Sequence, residues 1–306
     1  MKKFAKMGAL AAAGALLLNL AACSISDSGT AAPSGGASSG TGSSSISAGT
    51  GESETLKKVK SGGVLKVGSS GAVPFAYIDT KTNTFAGVDA DITSAVAKKL
   101  GISKVEMVKI PYNNLLMELA KGSIDLVSSG MYCTAARQKQ ALFSNVYYKE
   151  GESILIPKDS PIKSADDFKG KKISVNQGTA FQKQLEKWVQ DGKLGEVVVS
   201  TTLNDALLSV TSGKADAVMA DQVVGAYMLK QDNSLGLKML SPYTMESSGN
   251  VCAAFGKDDP AFVKEWNDAL DGLKKDGTVL KILEKYGLSN DSFVSVEDGR
   301  TVNPAS

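Results

Sequence analysis

Leu116-Met117-Glu118-Leu119-Ala120-Lys121-Gly122-Ser123-Ile124-Asp125-Leu126-Val127 and, later in the chain, Leu207-Leu208-Ser209-Val210-Thr211-Ser212-Gly213-Lys214-Ala215-Asp216-Ala217-Val218 repeat one pattern. Each reads as an apolar helix, a Gly, two residues, an Asp and a strand. The Gly stops the helix by taking a left-handed backbone that other side chains disfavour, the Asp fixes the turn, and the apolar run is buried. Taken singly this is a structural unit; its repetition predicts two similarly built α/β lobes.

Around the first copy, Val64–Val67, Val105–Ile110 and Ile124–Val127 read as strands, with helices at Asp91–Leu100 and Asn113–Lys121. Ile92, Ala95, Val96 and Leu100 recur at helical spacing, as do Leu115, Leu116 and Leu119. Strand, helix, strand in succession requires a parallel sheet. After Gly151 the same order restarts, with strands at Ile154–Ile156, Ile173–Val175, Val197–Val199 and Ala217–Met219. Ser164-Ala165-Asp166-Asp167 spaces a capping box, Thr179 and Asn204 are candidate N-caps, and Asp259-Pro260 sets Pro in a first helical turn. Phe262, Val263, Trp266, Ala269, Leu270 and Leu273 then form an apolar stripe, and a last helix, Thr278–Tyr286, stops at Gly287.

The chain has 306 residues, 34 Lys+Arg against 32 Asp+Glu, and no histidine. The missing histidine excludes Ser-His-Asp and Cys-His nucleophile pairs and histidine zinc sites. Catalysis would fall to carboxylates, Lys, Tyr or Cys. Residues 1–22 carry Lys2, Lys3 and Lys6, an apolar run and then Leu20-Ala21-Ala22-Cys23, which reads as a signal peptide. The run is shorter than the roughly 20 residues of a membrane span. Loss of its three lysines takes the net charge from +2 to −1, so no nucleic-acid footprint is expected. Leu-Ala-Ala-Cys resembles the lipobox of bacterial lipoproteins, which makes Cys23 the expected lipidation site and membrane tether. Residues 23–55, mostly Ser, Gly, Ala and Thr, bury too little to fold and are expected to be a flexible linker.

In open α/β sheets, ligands bind beyond the carboxyl ends of strands, where loops and helix N-termini converge. Arg137 follows one such end and Asp221 the equivalent end in the second half. Together they offer opposite charges to one cleft. Arg grips a carboxylate with paired hydrogen bonds, the amides at Gly178–Ala180 favour the same anion, and Asp221 suits an ammonium. On spacing alone, an exposed helical Arg and a helix-capping Asp explain the same residues.

Leu65–Ser70, Pro74-Phe75, Gly87–Ile92, Gly122–Asp125, Gly130–Arg137, Phe143-Ser144, Tyr147-Tyr148, Lys169–Lys172, Gly178-Thr179, Asp216–Asp221 and Asp276–Thr278 stand in an order that resembles the family 3 extracellular solute-binding proteins, the amino-acid receptors of ABC importers. The resemblance implies the type II periplasmic-binding-protein fold: two Rossmann-like α/β lobes joined by two hinge strands. Residues 56–150 and 248–288 would form lobe I, 151–247 lobe II, and 289–306 a polar tail. The crossovers fall near Lys149–Glu152 and Ser247–Val251.

Residue by residue, the resemblance implies that Arg137 clamps the ligand carboxylate and Asp221 its ammonium, with the Gly130 carbonyl accepting from that ammonium and Thr179 in the carboxylate loop. Tyr112 stacks on the ligand, and Phe75 and Gln177 stand near the pocket. Ser69 stands where receptors for basic amino acids are often acidic. Tyr132 replaces a small hydroxyl residue and narrows or reshapes the pocket, and Ala180 removes a hydroxyl. Ser69, Asn176, Gln177 and Gln222 are uncharged, which favours a neutral polar amino acid. Asp89 and Asp91 are expected to cap a helix, since the Gly and terminal Glu of a calcium loop are absent; no metal or cofactor is expected.

The expected partners are thus a free amino acid, ABC permease and ATPase subunits, and the membrane through a lipid anchor, with the receptor an extracytoplasmic monomer. The competing expectation is an exported cyclohexadienyl-dehydratase-like enzyme on the same fold. It would need a cleft acid of raised pKa, for which the sequence offers no candidate. Cys133 and Cys252 permit a disulfide in an exported protein. The family pattern allows the two to be close, with two buried free thiols as the favoured reading.

Overall fold

A computed structural model describes residues 53–231, 235–241, 243–246, 248–288 and 290–301, without the side chains of 228–231. The signal peptide, nearly all of the linker, Cys23 and Ser247 lie outside the described residues.

Two sheets share one plan. In the first, Leu65–Ser69 lies between parallel partners Val105–Lys109 and Leu126–Val127. Ala254–Phe255 then adds antiparallel to Leu126–Val127 and carries Leu142–Phe143 on its other edge. In the second, Lys172–Asn176 lies between parallel partners Glu196–Ser200 and Ala217–Asp221. Tyr148–Pro157 runs antiparallel to Ala217–Asp221 and carries Leu237–Met239.

The sequence repeat explains the shared plan. Gly122 and Gly213 take φ of 71° and 74° and end the helices Leu115–Ala120 and Leu203–Thr211. Asp125 Oδ2 accepts from Lys66 N at 2.7 Å, and Asp216 Oδ2 from Lys172 N at 2.8 Å. Each Asp therefore fastens its turn to the first residues of the middle strand of the three parallel ones, which aligns the parallel pair.

The chain passes between the sheets along Tyr148–Pro157 and returns along Ser248–Val251, which pairs antiparallel with the first part of that strand, Ser248 opposite Gly151 and Val251 opposite Tyr148. These are the two crossovers. The helix Pro260–Lys275 starts at the Asp259 cap with Pro at its first position and buries the whole expected stripe. Phe255, Phe262 and Trp266 meet edge to face with centroids 5.2–5.8 Å apart, each such pair contributing about 1 kcal/mol beyond its burial.

Several local expectations are corrected. The helix Glu54–Lys60 begins inside the expected linker, because Ser53 caps it and also donates to Asp259 Oδ2. Thr202, not Asn204, caps Leu203–Thr211. The expected polar tail is packed where it is described. Val294 and Val296 are buried, Phe293 bridges Tyr148, and the Gly299 carbonyl accepts from Val146 N. Lys274 Nζ, itself buried, donates to Val294 O at 2.8 Å.

Asp89 and Asp91 do not cap the helix Val88–Lys99, which starts from Gly87 without a side-chain cap. Asp89 is fully buried, accepting from Gly130 N and the Tyr148 hydroxyl. Asp91 accepts from Lys285 Nζ and the Tyr286 hydroxyl.

Candidate functional site

The carboxyl ends of Leu126–Val127 and Ala217–Asp221 face one interlobe cleft of about 490 Å³, its open mouth included. Gly130, Tyr132, Arg137, Tyr112 and Phe75 line it from the first sheet's side, and Thr179, Asn176, Phe181, Leu203 and Asp221 from the second's. Among the described residues, Arg137 and Asp221 are the only formally charged ones that line it.

Arg137 sits in the short helix Ala135–Gln138, whose cap Thr134 accepts from the Arg137 amide. Nη1 donates to Tyr132 O at 2.9 Å within its own lobe, and Nη2 to Gly178 O at 3.0 Å across the cleft. The guanidinium stands 5.5 Å from the centroid of the Tyr112 ring, so Tyr112 supports the cation from its face. Two opposed carbonyls thus hold the fork where a carboxylate can be gripped.

Gly130 must be glycine. Its φ is +63°, and a Cβ there would come within 2.8 Å of the Phe75 ring. Asp89 holds its amide, so the strand-end turn presses on Phe75 and is pinned from behind. On the opposite wall, Thr179 caps the helix Ala180–Gln190, but the Gly178 amide already donates to Gln182 Oε1 at 2.8 Å. The expected run of amides open to an anion is therefore shortened at its first member.

Asp221 ends its strand half-buried. Burial raises its carboxyl to about 7, against the opposing pull of its own backbone amide, the nearby Tyr132 hydroxyl and Arg137. Glu150, on the first crossover strand, is buried, and burial first and the Asp221 charge second push it well above the usual carboxylate range. Its Oε2 receives a long, 3.4 Å bond from Val223 N. Tyr132 Oη, Glu150 Oε1 and Asn176 Oδ1 are buried with no hydrogen-bond partner among the described residues. Such atoms are costly unless something else satisfies them.

Tyr132 takes its position from the hinge. Its ring covers Gly249, where a Cβ would overlap it, and meets Phe181 edge-on at 5.8 Å. The aromatic side chain fills space between the crossover strand and the far lobe that a Ser or Thr would leave open.

Two expected site residues are elsewhere. Ser69 is fully buried, its hydroxyl donating to Ala76 O at 2.6 Å, and its neighbour Ser70 lines the cleft instead. Gln177 is exposed and outside the lining, and Asn176 takes the place. Glu150 and the apolar wall of Phe181, Leu203 and Met219 were not anticipated. Asn176, named above among the uncharged pocket residues, is the last residue of Lys172–Asn176 as Asp221 is of its strand. Among the described residues no cluster of potential ligands could hold a metal ion.

The profile of the bacterial extracellular solute-binding proteins, family 3, matches residues 65–289. The probable amino-acid-binding protein YxeM of Bacillus subtilis (strain 168) is 34% identical over 228 residues, 73% of this chain and 83% of that protein. An ABC uptake transporter substrate-binding protein from Streptococcus pneumoniae, solved with bound histidine, superposes with a TM-score of 0.70 at 26% identity, covering 78% of this chain and 98% of the other. The ancestral amino-acid-binding protein AncCDT-1, a precursor of cyclohexadienyl dehydratase, gives 0.66 at 31% identity over 76% and 98%.

Proposed function

This chain belongs to the bacterial extracellular solute-binding proteins, family 3, and from that membership we propose that it captures a free amino acid between its lobes and delivers it to the permease and ATPase of an ABC importer. The observation that carries the reading is that Arg137 and Asp221 line one cleft from opposite lobes. A zwitterion joins them: carboxylate to the guanidinium, ammonium to Asp221 and the Gly130 carbonyl. Only a molecule with both groups stabilises the closed arrangement, so binding shifts the lobe equilibrium toward it.

The side-chain subsite favours a neutral polar amino acid. Apart from the two charges already used, its walls are apolar or uncharged, and the unpartnered Asn176 Oδ1 calls for a donor such as an amide or hydroxyl. The signal-peptide pattern and Leu-Ala-Ala-Cys support export and anchoring through acylated Cys23, with the receptor acting as a monomer. A thermal-shift screen of the amino acids, followed by calorimetry, tests the reading, because a ligand of the folded state raises its midpoint. Neutral donors are expected to give the largest shifts. A response confined to lysine and arginine refutes the neutral subsite, and no response to any amino acid refutes the receptor.

One observation favours a second reading. Glu150 is a buried acid of raised pKa, the kind of group a dehydratase-like enzyme would need. It lines a separate cavity with Gln222, Val223, Ser248 and Leu288 and is absent from the cleft lining; the raised acid that does line the cleft is Asp221, and its place opposite Arg137, suited to an ammonium, favours binding over catalysis. Recovery of a cyclohexadienyl amino acid with unchanged mass after incubation would confirm that preference; loss of water together with carbon dioxide, leaving an aromatic amino acid, would reverse it.

A further inference from the structure

Cys133 and Cys252 stand on two backbone segments joined at the hinge. Tyr132 and Val251 form an antiparallel bridge. To one side of it Cys133 N donates to Asn250 O at 3.0 Å, and to the other Cys252 N donates to Met131 O at 3.0 Å. Cys133 and Cys252 are therefore diagonal neighbours on one face of the paired segments. Their sulfurs lie 2.7 Å apart. Cys252 is fully buried, while Cys133 is partly exposed. Neither lines the interlobe cleft.

From this juxtaposition we infer that Cys133 and Cys252 form a disulfide in the exported protein, fastening the turn that carries Arg137 to the second crossover. The sequence favours two buried free thiols instead. Both thiols are free in the structure, but only Cys252 is buried, and the backbone pairing brings the two side chains together while leaving Cys133 open to an oxidant.

The oxidant is an external disulfide, either a small molecule or a thiol-exchange protein. The Cys133 thiolate attacks one sulfur of that disulfide, forming a mixed disulfide and releasing the other sulfur as a thiolate. Cys252 then gives up its proton and attacks Cys133 Sγ, releasing the second thiolate. Two protein thiols are oxidised and one disulfide is reduced. The order follows from the site: the adjacent Cys252 holds Cys133 below the usual thiol range, whereas burial pushes Cys252 above it.

The bond would act on the clamp. Arg137 Nη1 is held by Tyr132 O, one residue before Cys133. Fastened to Ser248–Val251, that turn keeps its place against the crossover while the lobes open, so the cation stays aimed at the cleft before a ligand arrives. The inference draws on the export proposed above only for its oxidant, and the test supplies one directly.

The full chain is incubated with oxidised glutathione at mildly alkaline pH, quenched with acid, unfolded, alkylated and digested. The expected product is a peptide linking Cys133 to Cys252, with both cysteines becoming alkylatable only after reduction. Alkylation of both without reduction, or linkage to Cys23 in place of each other, overturns the inference. In Cys252→Ser, Cys133 is expected to end as a mixed disulfide with glutathione, and its failure to react overturns the assigned order of attack. The oxidised protein is expected to unfold several degrees above the reduced one, and equal midpoints would refute the fastening role.

Discussion

Lowering the pH should weaken ligand binding, and Glu150→Gln should leave unchanged the pH at which this happens. An ammonium is stabilised by Asp221 only when that carboxyl is ionised, yet burial raises it to about 7 in the ligand-free protein. Asp89 adds to the rise and Arg137 opposes it. At pH 5, about two units below that value, roughly 1% of Asp221 is ionised, so affinity falls about 100-fold from its plateau above pH 8, at about 1.4 kcal/mol per unit. Each binding event at pH 5 then releases close to one proton.

Burial and the Asp221 charge favour the neutral form of Glu150, and Glu150→Gln imitates that form while keeping an acceptor for the Val223 amide, so the pH dependence should be preserved in the variant. The assay is calorimetry, using the amino acid selected by the thermal-shift screen, in buffer pairs of different ionisation heat between pH 5 and 8. Affinity that is flat over that range with no proton release would falsify the coupling. A variant that binds more weakly at every pH would show that Glu150 is structural.

Arg137→Ala and Asp221→Ala should each abolish detectable binding with little change in thermal midpoint, since removing one partner of a desolvated ion pair costs on the order of 3–5 kcal/mol; near-native affinity in either variant removes the site assignment. Gly249→Ala places a methyl inside the Tyr132 ring and should displace it from Phe181, at about 1–3 kcal/mol of stability, measured by urea unfolding; an unchanged midpoint means the ring moves freely. The ligand-free protein should lose thermal stability between pH 5 and 8. Asp89 and Asp221 are raised by burial to about 6 and about 7, so their contributions are complete below the unfolded value near 3.8 and lost as pH climbs through the folded ones. A midpoint that rises over that window contradicts the assignment of both as buried acids, and ligand should offset the loss at Asp221.

The general layout was legible because the signals that specify it are local. A Gly in the left-handed region, an Asp three residues later and an apolar run involve neighbouring residues only, so the repeat predicts two lobes without any knowledge of their packing. The caps at Thr179 and Asp259 were readable for the same reason. Thr202 was missed in favour of Asn204 because both are good caps and the register of one turn decides between them.

At the cleft, residue type and strand-end position pointed to Arg137 and Asp221, and the family resemblance to Gly130, Tyr132, Tyr112, Phe75 and Thr179; all seven line it. Ser69 and Gln177 stand one residue away from the lining residues Ser70 and Asn176. The last twist of a strand decides which of two neighbours faces the gap, and that twist depends on what packs behind it: Ala76 O draws the Ser69 hydroxyl inward.

What the sequence alone determined, then, is the repeated α/β grammar, the opposite charges at equivalent strand ends and the exclusion of histidine chemistry, all of which depend on identity and spacing. Tertiary structure alone decided that Asp89 pins Gly130, that the Asp221 charge acts on the buried Glu150 and that Cys133 meets Cys252. Each of these pairs residues far apart in the chain, and only the closing of sheets and crossovers sets the distances, the burial and therefore the energies between them.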